Sequence, residues 1–169
     1  QWIRDRRKIK NFNAADYVGA KTKLLKAYFA EHGIQTAVVA ISGGVDSAIV
    51  FGLLSKIPNL EVIAVTLPAR GEIGATRQDK TVELANSLSD VFKIPVYEFN
   101  LHDPVSEIQN GIKSSLLLTS SPWARGQAVA YVRTASLYSL VASLNDKKRT
   151  VLVGTTNRDE GSYLGYIGK

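Results

Sequence analysis

The stretch from residue 37 to residue 54 constrains the fold more than any other part of the chain. Five apolar residues, Ala-Val-Val-Ala-Ile at 37–41, predict a short buried strand. The residues Ser-Gly-Gly-Val-Asp-Ser follow at 42–47, and an apolar segment then predicts a helix. A strand that enters a helix through a glycine-rich turn is typical of an α/β fold.

The Ser42–Ser47 loop has the composition of an anion site. Gly43 and Gly44 allow a tight turn and let backbone amides approach a ligand without an intervening Cβ. The following helix N-terminus adds N–H groups and a positive dipole end, which suit phosphate. The carboxylate of Asp46 would repel phosphate alone, so it indicates a Mg²⁺ ion that bridges it to phosphate oxygens. The alternative is an ordinary glycine-rich turn, which would not need the flanking hydroxyls and acid.

Composition predicts one domain. A chain of 169 residues with 45% hydrophobic and 21% charged residues is long enough for one α/β domain with a full core. No apolar run is long enough to span a bilayer, so we expect no membrane contact. The chain has no cysteine, which excludes disulfides, thiolate metal sites and cysteine nucleophiles and fits a cytoplasmic protein. We expect a basic segment at residues 1–12 and one domain over residues 13–169.

The net charge of +6 is compatible with two kinds of partner, nucleic acids and anionic small molecules such as nucleotides. Part of the excess lies at the start of the chain, in Arg4, Arg6, Arg7, Lys8 and Lys10. A solvated terminal segment is the favoured interpretation, because no RNA-binding signature accompanies these residues. We therefore expect no nucleic-acid partner.

The rest of the chain alternates between helical and strand patterns. Helices are predicted over 13–32, from 48 to about 56, from 76 to about 90, from 103, and from about 126 to 145. Strands are predicted over 61–67, 94–100 and 150–153. A serine- and threonine-rich segment at 110–125 predicts a loop or lid. The alternation predicts a parallel sheet with helices on both faces.

The Ser42–Ser47 loop resembles the Ser-Gly-Gly-x-Asp-Ser loop of the ATP pyrophosphatase superfamily, whose members split ATP between the α- and β-phosphates. Every residue of that pattern matches in a strand–loop–helix context, and the chain contains no Walker A sequence. The resemblance implies a Rossmann-like fold of the adenine nucleotide alpha hydrolase type. It assigns ATP and pyrophosphate binding to Ser42, Gly43, Gly44, Val45, Asp46 and Ser47.

Later segments are similar to the NAD synthetase family. Leu67-Pro68-Ala69-Arg70, with Asp79 further on, resembles the second-strand segment of that family. Residues 126–138 are similar to its Gly-Asn-x-x-Ala-Arg-x-Arg-Met-x-x-Leu-Tyr helix, in which Gln127, Tyr131 and Thr134 are departures.

The last part of the chain continues this resemblance. Residues 154–160 match the family pattern Gly-Thr-x-Asn-x-x-Glu, and Gly165, Tyr166 and Lys169 resemble the start of Gly-x-x-Thr-Lys-Tyr-Gly-Asp. The Asp of that second pattern is not reached, so we expect the domain to lack the family's usual C-terminal segment.

The resemblance implies a two-step ligase reaction. ATP adenylates the carboxylate of nicotinic acid adenine dinucleotide and releases pyrophosphate. Ammonia then attacks the acyl adenylate and yields NAD and AMP. ATP and Mg²⁺ are the implied cofactors, and a homodimer is the implied assembly. No glutaminase domain fits in 169 residues, so ammonia is expected to arrive free or from a separate glutaminase.

The same resemblance implies roles for individual residues. Asp46 and Glu160 are expected to share magnesium and, with Arg133, to act in catalysis. Further ATP contacts are expected from Leu67, Arg70 and Thr155. Dinucleotide contacts are expected from Arg133, Tyr138, Asn157 and Lys169.

Several of these residues have a structural alternative. Arg70 and Arg133 are also explained as exposed or ion-paired arginines, and Gly-Thr after a strand is common turn chemistry. For Trp123 and Tyr131, core packing is favoured over stacking on a ring of the substrate.

Other functions are weighed against the synthetase. GMP synthetase and tRNA-modifying enzymes share the Ser42–Ser47 loop pattern, but the block at 154–160 argues against both, and the absence of cysteine argues against sulfur transfer. A module that binds ATP without turnover is an alternative from another class. A nucleic-acid-binding role rests on charge alone.

Overall fold

The computed structural model describes residues 12–70 and 75–156, without the side chains of residues 75–78. The predicted basic segment therefore lies outside the described residues except for Phe12. The elements in chain order are α1 (Ala14–Glu31), β1 (Thr36–Ala40), α2 (Val45–Leu54), β2 (Glu61–Thr66), α3 (Ala75–Phe92), β3 (Val96–Glu98), α4 (His102–Leu116), α5 (Pro122–Asn145) and β4 (Thr150–Val153).

The four described strands form one parallel sheet in the order β3-β2-β1-β4. β1 is central, and Ala37, Val38 and Val39 have no solvent-exposed surface. This burial explains the nearly continuous apolar run in its sequence, which is typical of a parallel strand covered on both faces. The predicted parallel sheet is confirmed.

Two hydrophobic clusters lie on opposite faces of the sheet, which confirms that helices cover both faces. On one face, Val39 and Ala64 pack with side chains from the first three helices, including Phe29, Phe51 and Ala85. On the other face the cluster joins the sheet to α4 and α5 through Val38, Val65, Leu67, Val105, Val129 and Val132. Of the described helices, none is both long and apolar enough to cross a membrane.

α1 begins and ends as its sequence predicts. The side chain of Asn13 accepts hydrogen bonds from the backbone N–H of Ala15 (2.9 Å) and Asp16 (3.3 Å), which satisfies two donors at the helix start. Gly33 follows the helix end with φ of +62°, a left-handed conformation that favours glycine.

The segment at 110–125 is mostly helical, so the predicted loop or lid is wrong. α4 continues to Leu116 and α5 begins at Pro122, which leaves a short connection at 117–121. The side chain of Ser121 caps α5 by accepting from the N–H of Ala124 at 3.2 Å. Serine and threonine disfavour helix only weakly, and packing between α4 and α5 overrides that preference.

The third strand is shorter than predicted, because β3 covers only Val96–Glu98. Beyond it the chain still bonds to the segment after β2, with Phe99 N–H donating to Thr66 O (2.9 Å) and Leu101 N–H to Pro68 O (2.7 Å). The Oδ1 of Asn100 accepts from the N–H of both Arg70 (3.3 Å) and His102 (3.1 Å). Asn100 thus ties the ends of two neighbouring strands together.

A polar cluster joins three segments at the amino edge of the sheet. Glu61, the first residue of β2, accepts hydrogen bonds from Lys148 Nζ (2.8 Å) and Thr36 Oγ1 (2.9 Å). Thr36 is opposite both Glu61 and Thr150 in the strand register. Lys148 and Thr36, in that order of effect, lower the pKa of Glu61 below its ordinary value of 4.5.

We predict that Glu61→Gln destabilises the chain near neutral pH by less than about 1 kcal/mol, because the ion pair is exposed. A carboxyl group whose pKa is lowered by folding stabilises the folded state above its unfolded pKa. That contribution is lost as the pH falls through the folded pKa. The wild type should therefore unfold at a higher temperature than the variant at pH 7, and the difference should vanish below the lowered pKa of Glu61. A difference in unfolding temperature between wild type and variant that does not shrink as the pH falls below 4.5 would contradict this prediction.

Candidate nucleotide site at the carboxyl edge of the sheet

The order of the strands reverses direction at the carboxyl ends of β1 and β4. From β1 the chain moves outward to β2 and β3, whereas β4 pairs on the other side of β1. The segments after β1 and β4 therefore diverge, and open α/β sheets bind ligands at such a point. The Ser42–Ser47 loop follows β1, and residues 154–156 follow β4.

The Ser42–Ser47 loop contains a left-handed turn that requires glycine. Gly43 has φ of +74°, and an added Cβ would lie 3.3 Å from both the Cα of Thr81 and the Cδ1 of Leu84. Both of these residues belong to α3. A side chain at position 43 would thus meet an unfavourable backbone conformation and the backbone of a packed helix.

The two serine hydroxyls of the loop bond to the loop itself. Ser47 Oγ donates to Gly44 O (2.9 Å) and accepts from Ser42 N–H (3.3 Å). Ser42 Oγ accepts from Gly44 N–H (3.3 Å) and lies 3.2 Å from Ser47 Oγ. Ser47 is only 1% exposed, whereas Ser42 is exposed to solvent. Ser47 therefore shapes the loop in this structure, and its direct contact with a ligand stays a prediction.

The N-terminus of α2 lies within the Ser42–Ser47 loop. Gly44 is the N-cap in an extended conformation, and no side chain in the described part of the chain caps this end. Val45 is 70% exposed, and the half-buried Asp46 lies in the first turn. The backbone N–H groups of a first turn have no acceptor four residues earlier within their helix, and the helix dipole favours an anion in front of them.

Arg133 and Leu67, both predicted site residues, are in contact. Arg133 Nε donates to Leu67 O at 2.9 Å and so joins α5 to the end of β2. Burial lowers the pKa of Arg133, but a guanidinium remains charged at neutral pH. Arg133 therefore places a half-buried positive charge at the carboxyl edge of the sheet.

Arg70 also follows β2 at this edge of the sheet and is paired with two carboxylates. Its Nη1 and Nη2 donate to the two oxygens of Glu98, with 3.0 Å from Nη2 to Oε2, and its Nε donates to Asp79 Oδ1 at 3.0 Å. Glu98 and, to a lesser degree, Asp79 raise the pKa of Arg70. A phosphate that bound Arg70 through these donors would have to displace a carboxylate. The role of Arg70 as an ATP ligand stays a prediction.

The remaining predicted site residues are only partly described. Thr155 is half-buried in the segment after β4, and Tyr138 is 62% exposed on α5. Asn157, Glu160 and Lys169 lie outside the described residues. Over residues 12–70 and 75–156, no three side chains of His, Cys, Asp or Glu come together as a metal site.

The core positions predicted for Trp123 and Tyr131 are wrong. These side chains are 74% and 60% exposed, and both line a cavity of about 380 Å³ between α4 and α5. Periodicity distinguishes the buried face of a helix from its outer face only when the outer face is polar, and the outer face of α5 is not.

Known proteins resemble this chain in sequence and in fold. The model of the NAD synthase family matches residues 17–169. The NH(3)-dependent NAD(+) synthetase of Picrophilus torridus is 32% identical over 80% of this chain and 49% of the relative. That of Pyrococcus furiosus is 32% identical over 88% of this chain and 51% of the relative. The chain thus spans about half the length of these curated relatives.

The fold of a solved structure agrees. The NH3-dependent NAD synthetase from Campylobacter jejuni superposes with a TM-score of 0.73 at 22% identity, over 92% of this chain and 61% of that chain. The predicted Rossmann-like fold of the adenine nucleotide alpha hydrolase type is confirmed.

We predict that Gly43→Ala destabilises the chain by about 1–2 kcal/mol, the cost of a left-handed conformation for an L-residue. It should also weaken ATP binding, because relief of the contact with α3 changes the shape of the Ser42–Ser47 loop. Gly19→Ala is the control, since nothing lies within 4 Å of its added Cβ in α1. That change should stabilise the helix by about 0.5–1 kcal/mol. Thermal unfolding and ATP titration check both expectations, and normal ATP affinity in Gly43→Ala would contradict the first.

Proposed function

Because the chain belongs to the NAD synthase family, we propose that it takes part in the ATP-dependent amidation of nicotinic acid adenine dinucleotide to NAD. The observation that carries the proposal is the position of the Ser42–Ser47 loop. This loop has the sequence of an ATP pyrophosphatase loop and lies at the carboxyl end of the central strand, beside the point where the strand order reverses.

The first step of the proposed reaction joins two anions. A carboxylate oxygen of the dinucleotide attacks the α-phosphorus of ATP, the bond to the β-phosphate breaks, and pyrophosphate leaves. The backbone N–H groups around Gly44 and the first turn of α2 would bind the leaving pyrophosphate. Such donors stabilise negative charge without having to reorganise during the reaction. Arg133 would add positive charge near the transferred phosphate.

The second step forms the amide. Ammonia attacks the acyl carbon of the adenylate, AMP leaves, and the surplus proton passes to solvent or to a base. Neither step requires a nucleophile from the protein, which agrees with a chain that has no cysteine. We propose that ammonia arrives free or from a separate glutaminase.

The donors near the Ser42–Ser47 loop suit Mg²⁺. Mg²⁺ usually keeps several waters and takes one or two carboxylates together with phosphate oxygens. The half-buried carboxylate of Asp46 would therefore suffice with one further acid, which we propose to be Glu160. Mg²⁺ supplies positive charge that offsets the repulsion between the phosphates and the attacking carboxylate.

The remaining contacts extend the prediction from the family motifs. We propose that Leu67 and Thr155 contact ATP and that Tyr138, Asn157 and Lys169 contact the dinucleotide. Arg70 would influence ATP binding through its ion pairs with Glu98 and Asp79. A cytoplasmic location also remains a prediction.

We propose a homodimer as the working assembly, formed through the outer surfaces of α4 and α5. These helices and the connection between them expose apolar side chains, with Ile108, Leu116, Leu117, Leu118, Trp123 and Tyr131 each between 47% and 88% exposed. Ile108, Trp123 and Tyr131 line one cavity. Contiguous exposed apolar surface of this kind is typical of protein–protein contacts. A second copy of the chain is the occupant that the family resemblance implies.

Trp123→Glu should weaken dimerisation by about thirtyfold or more, because a charge would replace an aromatic side chain at the centre of the contact. Val91→Glu is the control, since Val91 is similarly exposed (69%) but lies on α3. Sedimentation at several concentrations measures the effect. A wild-type chain that remains monomeric throughout would overturn the homodimer proposal.

The proposed function is tested by measuring AMP and pyrophosphate formed from Mg-ATP, with and without nicotinic acid adenine dinucleotide and ammonia. AMP that depends on the dinucleotide and appears together with NAD is the expected result. AMP without dependence on the dinucleotide would indicate another adenylating or amidating enzyme, such as a GMP synthetase-like one. ATP binding without AMP would indicate a binding module.

In the same assay, Asp46→Asn should lower turnover by at least about a hundredfold, because it removes a magnesium ligand from the site of developing charge. Asp103→Asn is a matched control. Asp46 and Asp103 are each the second residue of their helix, so both changes remove the same favourable interaction with a helix dipole. Equal losses of activity in the two variants would contradict the metal assignment.

A further inference from the structure

The carboxyl edge of the sheet carries an ion-paired cluster that the proposed reaction does not use. Arg70 follows β2, Glu98 is the last residue of β3, and Asp79 lies on α3. The backbone N–H of Arg70 also donates to Asn100 at 3.3 Å. Residues of separate segments thus fix Arg70 at two places. Asn100 bonds its backbone, and Glu98 and Asp79 bond two edges of its guanidinium.

Stability alone does not explain this cluster. The side chains of Arg70, Asp79 and Glu98 are 40%, 59% and 33% exposed, and exposed ion pairs add little to folding. A long arginine side chain loses several rotatable bonds of freedom when it is fixed. Its guanidinium nevertheless uses three of its five N–H donors on two carboxylates.

Direct attraction of phosphate does not explain it either. Arg70 contributes one positive charge and the two carboxylates contribute two negative charges, so the cluster has a formal charge of −1. Such a cluster repels an anion unless a carboxylate is displaced.

The contacts of α3 give the cluster a connection to the nucleotide site. Asp79 precedes Thr81 and Leu84, the residues that lie 3.3 Å from the Cβ position of Gly43. At its other end α3 is held by Phe92, whose ring lies 5.1 Å from that of Phe51 and 3.0 Å from the Cβ position of Gly52. Arg70 therefore anchors the end of α3 that faces the Ser42–Ser47 loop.

We propose that Arg70, Asp79 and Glu98 act as one positioning unit that fixes the first turns of α3 against Gly43. The unit keeps the left-handed turn of the Ser42–Ser47 loop in the shape that binds the pyrophosphate part of ATP. Glu98 and Asp79 hold the two edges of the Arg70 guanidinium, and α3 transmits the constraint to Gly43. In its effect on ATP the inference rests on the proposed function, whereas its effect on the loop does not.

The test compares Arg70→Ala, Arg70→Lys, Asp79→Asn and Glu98→Gln in the full chain without nucleotide. Hydrogen–deuterium exchange of amides 42–47 is the first measurement. Each variant should exchange faster in this loop than the wild type. Arg70→Lys should not rescue, because an ammonium group cannot bond both carboxylates with the fork geometry of arginine. The double variant Arg70→Ala/Glu98→Gln should be no worse than Arg70→Ala, because both changes break the same unit.

Kinetics give a second measurement. Each single variant should raise the KM for ATP by about three- to tenfold and change kcat less, a size typical of residues that act through others. Glu61→Gln is the matched control, since it also breaks a carboxylate–cation pair on the sheet but at the opposite edge. It should lower the unfolding temperature and leave both loop exchange and KM unchanged.

Two results would overturn the proposal. Unchanged loop exchange in all of the cluster variants would make the cluster a surface ion pair like that of Glu61. A lower KM in Glu98→Gln with a higher KM in Arg70→Ala, rescued by lysine, would make Arg70 a direct phosphate ligand. If the wild type forms no AMP, the proposed function fails, and the exchange measurement still decides the positioning role.

Discussion

A close backbone contact between α3 and Gly43 constrains the whole nucleotide site. The Cα of Thr81 lies 3.3 Å from the position that the Cβ of a side chain on Gly43 would occupy. The Ser42–Ser47 loop and α3 are therefore packed without room for a side chain between them. The left-handed turn at Gly43 directs the chain from β1 into α2, and Gly44 can then begin that helix in an extended conformation. A movement of α3 toward β1 would change the conformation of the turn at Gly43 first, because a close-packed interior cannot accommodate such a shift without rearrangement.

The two edges of the sheet use ion pairs in different ways. At the amino edge, Lys148 and Thr36 meet one carboxylate, that of Glu61, and the bonds join neighbouring segments of the sheet. At the carboxyl edge, two carboxylates meet one guanidinium, and the second of them brings in a helix. The bonds of Glu61 tie β1, β2 and the segment before β4 together at the amino edge of the sheet. The pairing at the carboxyl edge fixes the orientation of the Arg70 guanidinium. That orientation matters because the Ser42–Ser47 loop at the same edge forms the proposed nucleotide site.

The sequence predicts the parts of the fold that periodicity and glycine chemistry determine locally. The central strand, the helix that follows it and β4 are found where their apolar patterns place them, since burial on both faces leaves a continuous apolar run. The loop predicted at 110–125 is wrong because contacts between α4 and α5 decide the structure of this segment, and the sequence of neither helix alone contains that information. The core position predicted for Trp123 is wrong for a related reason, since apolar residues on an outer surface have the same sequence signature as a core. The pairing of Arg70 with Glu98 depends on the register of β2 with β3, which places Thr66 opposite Glu98. No local pattern specifies that register.

The hydrogen bonds of Ser42 and Ser47 change how the Ser-Gly-Gly-x-Asp-Ser pattern is understood in this chain. The pattern suggests hydroxyl groups that point at phosphate, yet Ser47 is buried and bonds to Gly44 O and Ser42 N–H. Because the only hydroxyl proton of Ser47 goes to Gly44 O, the bond between the two hydroxyls is donated by Ser42. If the Ser42 hydroxyl turned toward a ligand, it would lose only that bond. If the Ser47 hydroxyl did so, the loop would lose the bonds to Gly44 O and Ser42 N–H. The two serines are therefore not equivalent: Ser47 belongs with Gly43 among the residues that shape the loop, and Ser42 is the hydroxyl that can exchange an internal partner for a phosphate oxygen.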